Sequence, residues 1–103
     1  MANYLLVYYG GKMETDPAKA AKSMEVWMKW FKDNGKSVVD MGAPTKPGKV
    51  INSKSVKNGV VGEAVTGYSI IKADNLDAAT ALAKTNPRIA AGGQIAVYEV
   101  MPM

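Results

Sequence analysis

At 103 residues the chain suits one domain with one core and leaves no room for separate cofactor and substrate domains. Hydrophobic residues make up 48% of it, enough to fill a core in a fold that buries about 60 to 70% of the unfolded surface. Cysteine and histidine are both absent, which excludes disulfides, thiolate metal sites, the usual zinc ligands and every Ser/His or Cys/His catalytic pair. Any chemistry falls to carboxylates, lysines, tyrosines and hydroxyls, with no metal or cofactor expected.

The net charge of +4 is uneven, because residues 12–57 carry ten lysines against five acids while the rest carries three bases against four acids. Only one arginine occurs, and arginine is the residue that phosphate forks and base edges usually require, so no nucleic-acid partner is expected. The lysines read as solubilising the outside of a helix and a loop. The opening MANYLLVYYGG has no basic start and only a short apolar run, fitting neither a signal peptide nor a membrane span. A soluble cytoplasmic protein is the expectation.

Residues 3–9 are aromatic, β-branched or leucine and end at a glycine pair, which predicts a first strand. Both of its sides are apolar, Tyr4, Leu6 and Tyr8 on one and Leu5, Val7 and Tyr9 on the other, as in a central strand covered on two faces. The pair at 10–11 reads as a turn, since no phosphate-loop pattern follows. Asp16-Pro17 then supplies an N-cap acceptor and a proline at the first helical position. The helix runs to about residue 34 and is closed by Gly35. Ala20, Met24, Trp27, Met28 and Phe31 recur at three and four and predict its buried stripe, with Trp30 and Val26 on the flank, where Trp30 is rim packing or a ligand contact.

Residues 37–41 predict a short strand stopped by Gly42-Ala43-Pro44. Residues 45–62 are polar and turn-rich and read as a loop carrying a small hairpin around Lys57-Asn58-Gly59, a type I′ signal. Residues 64–72 form the next long strand, with Tyr68 and Ile70 facing one way and Ser69 and Ile71 the other. Asp74 or Asn75 caps a second helix over about 76–85, with a stripe of Leu76, Ala79, Leu82 and Ala83. Asn86-Pro87 ends that helix, and residues 94–101 form the last strand. The order predicts an α+β fold, the ferredoxin-like split βαβ sandwich, with two helices on one face of an antiparallel sheet. The other face is apolar and uncovered, so a homodimer is expected to bury it.

Over nearly its whole length the sequence resembles the YCII-related family, including its DGPF branch. The likeness runs through NYLLVYYG, FKDNGK, VVDMGAP, NGVVGEAVTGYSIIKADNLDAATALAKTNP and AAGGQIAVYEVMPM. The resemblance implies a dimeric α+β barrel with one pocket per subunit between sheet and helices. For some members it implies lyase- or dehalogenase-like chemistry by a first-helix histidine with an aspartate. Here that histidine's place falls at about Met24. The DGPF tetrad lies near Asn58-Gly59-Val60-Val61, keeping only its glycine, and Asn86-Pro87 stands where Asp-Pro is common.

Three functions follow. One is a module binding a small apolar or aromatic molecule in a pocket lined by Tyr8, Met24, Trp27 and Asp40, Met and Trp being adaptable apolar liners. Another is a cofactor-free lyase or isomerase with Asp40 as base and Tyr8 as hydrogen-bond donor or acid, Asp40 standing in the apolar run Val38-Val39-Asp40-Met41, where partial burial raises a carboxyl pKa. The last is a regulatory partner protein that docks through the basic loop at 46–57.

Overall fold

The structure, a computed structural model, describes residues 1–10 and 15–103, so the turn read at 10–11 falls partly outside the described residues. The elements are β1 (Ala2–Tyr9), α1 (Pro17–Asp33), β2 (Val38–Pro44), β3 (Gly48–Ile51), β4 (Val56–Gly59), β5 (Val65–Ala73), α2 (Leu76–Ala83), α3 (Pro87–Ala90) and β6 (Gln94–Val100). β2, β5, β1 and β6 form one antiparallel sheet in that order, and β3 pairs with β4 alone. This is the ferredoxin-like topology expected from the element order. Tyr4, Leu6 and Tyr8 of β1 and Ser69, Ile71 and Ala73 of β5 are buried toward the helices. Leu5 registers against Ile70 and Tyr98, and Val7 against Tyr68 and Ala96, making an apolar opposite face.

Asp16 caps α1 as expected, its Oδ1 accepting the Ala18 amide at 2.9 Å ahead of Pro17. The phase of α1 differs from the predicted stripe. Trp30 is the core residue at 7% exposure, whereas Met24 is 61% and Met28 48% exposed, with Trp27 and Phe31 half-buried beside Trp30. Trp30 takes the core position because its polar edge is satisfied there: Nε1 donates to Thr85 Oγ1 at 2.8 Å, which donates to the Leu82 carbonyl at 2.7 Å. A large ring with a partnered N–H gains more from burial than a flexible methionine.

The other departures are local. α2 buries Ala79 and Ala83, while Leu76, assigned to its stripe, is 52% exposed. Asn86-Pro87 both stops α2 and starts α3, with Asn86 Oδ1 accepting the Arg88 amide at 2.8 Å. β2 continues through the predicted stop by irregular pairing with β5. Gly42 permits this with φ +72°, where any Cβ would run into the Tyr68 carbonyl. The hairpin turn lies at 52–55, because Asn52 Oδ1 accepts the amides of Lys54 and Ser55, a side-chain-built turn. Asn58 and Gly59 sit inside β4, opposite Lys49 and Gly48.

Trp30→Ala should lower stability by about 3 to 5 kcal/mol, and Met24→Ala by under about 0.5 kcal/mol. Urea unfolding checks the contrast; a reversed order would restore the Met24 stripe.

Candidate functional site

Tyr8 stands at the centre of a polar chain inside the core. Its ring fits because Gly67 lies opposite it in register, where a Cβ would come 3.3 Å from the ring and 3.0 Å from the Ala43 carbonyl oxygen. Its hydroxyl donates to Ser69 Oγ at 2.7 Å and accepts from Asn86 Nδ2 at 3.2 Å, and Ser69 Oγ donates to the Met41 carbonyl at 2.7 Å. Tyr8, Ser69 and Asn86 are all buried. Burial pushes the Tyr8 pKa above its ordinary value, opposed by the hydrogen bonds with Ser69 and Asn86 and by the charge of Arg88. The phenol is therefore neutral and fully engaged, so donating its proton to a bound molecule would break the chain.

The Trp27 ring meets Tyr8 edge-on at 5.2 Å, and the Arg88 guanidinium carbon lies 5.6 Å from the Trp27 ring centroid. Arg88 also donates from Nη1 to the Gly10 carbonyl at 3.0 Å. Tyr8 and Trp27 are thus in contact with each other, whereas Met24 lies out on the exposed side of α1.

Asp40 is exposed, contrary to the expectation of partial burial, and its Oδ1 accepts the Gly42 amide at 2.7 Å. It registers against Ile70, on the face away from the helices, whereas Tyr8 registers against Gly67 on the helix face. Cross-strand partners share a face, so Asp40 and Tyr8 are separated by the sheet. The carboxylate buttresses the turn of chain at Gly42 and has no line to the phenol.

A shallow, open cleft lies elsewhere, between the C-terminal half of α1 and the edge strand β2. It measures about 340 Å³ and is lined by Met28, Phe31, Lys32, Gly35, Val38, Val39 and Met41. Lys32 is its one ionisable group. Among the described residues no cluster of acids is placed to hold a metal ion.

Ser69 and Asn86 are the polar core residues that sequence reasoning did not single out. Asn86-Pro87 carried a readable signal, an N-cap followed by proline like Asp16-Pro17. Ser69 carried only its alternation with Ile71.

Tyr8→Phe keeps the ring and strands Ser69 and Asn86, so it should cost about 1 to 3 kcal/mol near neutral pH. A phenol whose folded pKa is raised stabilises the fold fully below its ordinary value of 10.0, and that stability is lost as pH rises through the folded value. The gap between wild type and Tyr8→Phe should therefore stay constant up to about pH 10 and narrow as pH rises beyond it, as urea titrations would show; a gap that stays constant there too would mean the phenol titrates normally.

Comparison with known proteins places this geometry in context. No curated protein sequence matches the chain. Among solved structures it is similar to 5-chloro-2-hydroxyhydroquinone dehydrochlorinase from Burkholderia phenoliruptrix AC1100, solved in complex with 2,5-dihydroxybenzoquinone. That match has a TM-score of 0.58 at 14% identity and covers 97% of this chain and 95% of that one, a likeness of fold. The family model described as YCII-related domain matches residues 1–103, and the chain belongs to the YCII-related family.

Proposed function

We propose that the protein is a homodimeric module that binds a small, flat, mostly apolar or aromatic molecule without turning it over. The observation that carries this reading is the cleft between α1 and β2. Its walls are methionine, phenylalanine and valine with Lys32 at one place, and its volume of about 340 Å³ is at the small end of ligand sites. Methionine side chains adapt to a ligand's outline. Among the described wall residues Lys32 alone could move a proton, and no carboxylate, histidine, cysteine or tyrosine lines the cleft beside it. The alternative of Asp40 and Tyr8 acting as an acid–base pair has them on opposite sides of the sheet, with the phenol already engaged.

Dimerisation is the second half of the proposal. Leu5, Val7, Tyr68, Ile70, Ala96 and Tyr98 form the face of the sheet away from the described helices, and Tyr98 remains 54% exposed. Leaving such side chains in water forgoes about 1.5 to 3 kcal/mol apiece. A second copy offers the same face by symmetry.

In titration calorimetry, 2,5-dihydroxybenzoquinone and hydroxyquinols should bind saturably. Met41→Asp, at a half-exposed wall position, should weaken binding at least about tenfold, and Asp40→Asn should leave it intact. Turnover of these rings by wild type, abolished in Asp40→Asn, would overturn the binding reading. Light scattering should give twice the chain mass of 11.0 kDa, and a mass of one chain at micromolar concentration would reject the dimer.

A further inference from the structure

We infer that the β3–β4 hairpin is a clasp arm whose docking surface is a second copy of this chain, an inference that rests on the homodimer proposed above. The arm grows out of the β2–β5 pair. At its root the Thr45 amide donates to the Thr66 carbonyl at 3.0 Å, and Thr45 Oγ1 donates to the Val65 carbonyl at 2.9 Å. Beyond that root, every residue from 46 to 63 except Val50 is exposed, and β3 and β4 pair only with each other, in a sheet of their own. A two-stranded hairpin with nothing against it is marginal in water. This one also presents Ile51 and Val56 as a cross-strand pair at 72% and 61% exposure, followed by Val61 at 80%.

The shape of the molecule says where the arm goes. Principal extents of 44 × 42 × 19 Å leave it one sheet-and-helix sandwich thick, so the arm runs out laterally and folds over neither face. The radius of gyration of 14.9 Å exceeds the about 13 Å of a compact chain of this length, as a projecting arm requires.

Interface area names the occupant. Four strands about 4.8 Å apart, rising about 3.3 Å per residue over seven to nine residues, give the open face a flat footprint of roughly 500 Å². A stable specific interface buries roughly 800 Å² on each side. A flat footprint of that size, before side-chain relief is counted, is at the lower edge of what such an interface needs, and the arm is the next apolar surface attached to the same sheet. A second copy seated on the open face thus comes within reach of an arm that has no seat on its own chain, and the two-fold relation seats both arms together. The arm's four lysines, Lys46, Lys49, Lys54 and Lys57, face no acid within residues 45–62, which keeps free arms of separate molecules from pairing edge to edge.

The test uses the full chain and two variants, Ile51→Lys and a version with residues 47–61 replaced by a short Gly-Ser turn. Sedimentation velocity across a dilution series should show both variants dissociating at concentrations at least tenfold above wild type. Hydrogen exchange should show the amides of 48–59 protected in the wild-type dimer and unprotected once it is diluted to monomer. Circular dichroism, unchanged in both variants, checks the fold. A dimer as tight in both variants as in wild type, or arm amides equally protected in monomer and dimer, overturns the clasp and leaves the dimer standing. Wild type monomeric at every concentration removes the dimer reading and the clasp with it. Arm protection gained only on adding heparin would reassign the arm to a polyanion and overturn the inference.

Discussion

One phenol hydroxyl ties four separate elements of this fold together. Tyr8 on β1 receives a hydrogen bond from Asn86, which caps α3, and gives one to Ser69 on β5, which passes its own to the Met41 carbonyl on β2. Asn86 spends its side-chain oxygen on the Arg88 amide, so the chain ends in satisfied groups at both ends. Inside an apolar core such groups are costly unless every one is paired. Complete pairing fixes the positions of α3 and β2 relative to the central strands more sharply than apolar packing could. Gly67 and Gly42 belong to the same constraint, the first leaving space for the Tyr8 ring and the second letting β2 lie close to β5.

That closed network also shapes the functional reading. A buried, neutral phenol with both hydrogen-bonding roles taken is a structural member. Asp40, on the other side of the sheet, is likewise occupied in supporting Gly42. In the position where the family resemblance places a histidine, Met24 is out in solvent and carries no proton. An open apolar cleft lies beside these residues, between α1 and the edge strand, lined by methionine, phenylalanine and valine with one lysine.

The fold is two layers, and two layers leave one sheet face over. α1, α2 and α3 gather on the side of Tyr4, Leu6 and Ile71 because Trp30, Ala79 and Ala83 pack there. Leu5, Val7 and Ile70 gain only partial cover from their own neighbours. The β3–β4 arm extends past this sandwich and leaves a second apolar surface exposed at Ile51, Val56 and Val61.

The sequence by itself determined the ferredoxin-like order of elements, because its signals are local. Alternation at period two marked the strands, Asp16-Pro17 marked the start of α1, and the single-sided helices left the opposite sheet face bare. It also determined that histidine and thiol chemistry are absent. Tertiary structure alone decided which stripe of α1 is core. Periodicity gives spacing, but the choice between Met24 and Trp30 depended on whether Thr85, fifty-five residues away, could receive the indole N–H. It decided the side of Asp40, because irregular pairing in β2 alters the phase that simple alternation assigns. It decided the turn of the arm, where the Asn52 side chain outcompeted the Asn58-Gly59 pair. And it decided that Tyr8, Ser69 and Asn86 meet, since a hydrogen bond between residues sixty to eighty positions apart leaves no periodic trace in the chain.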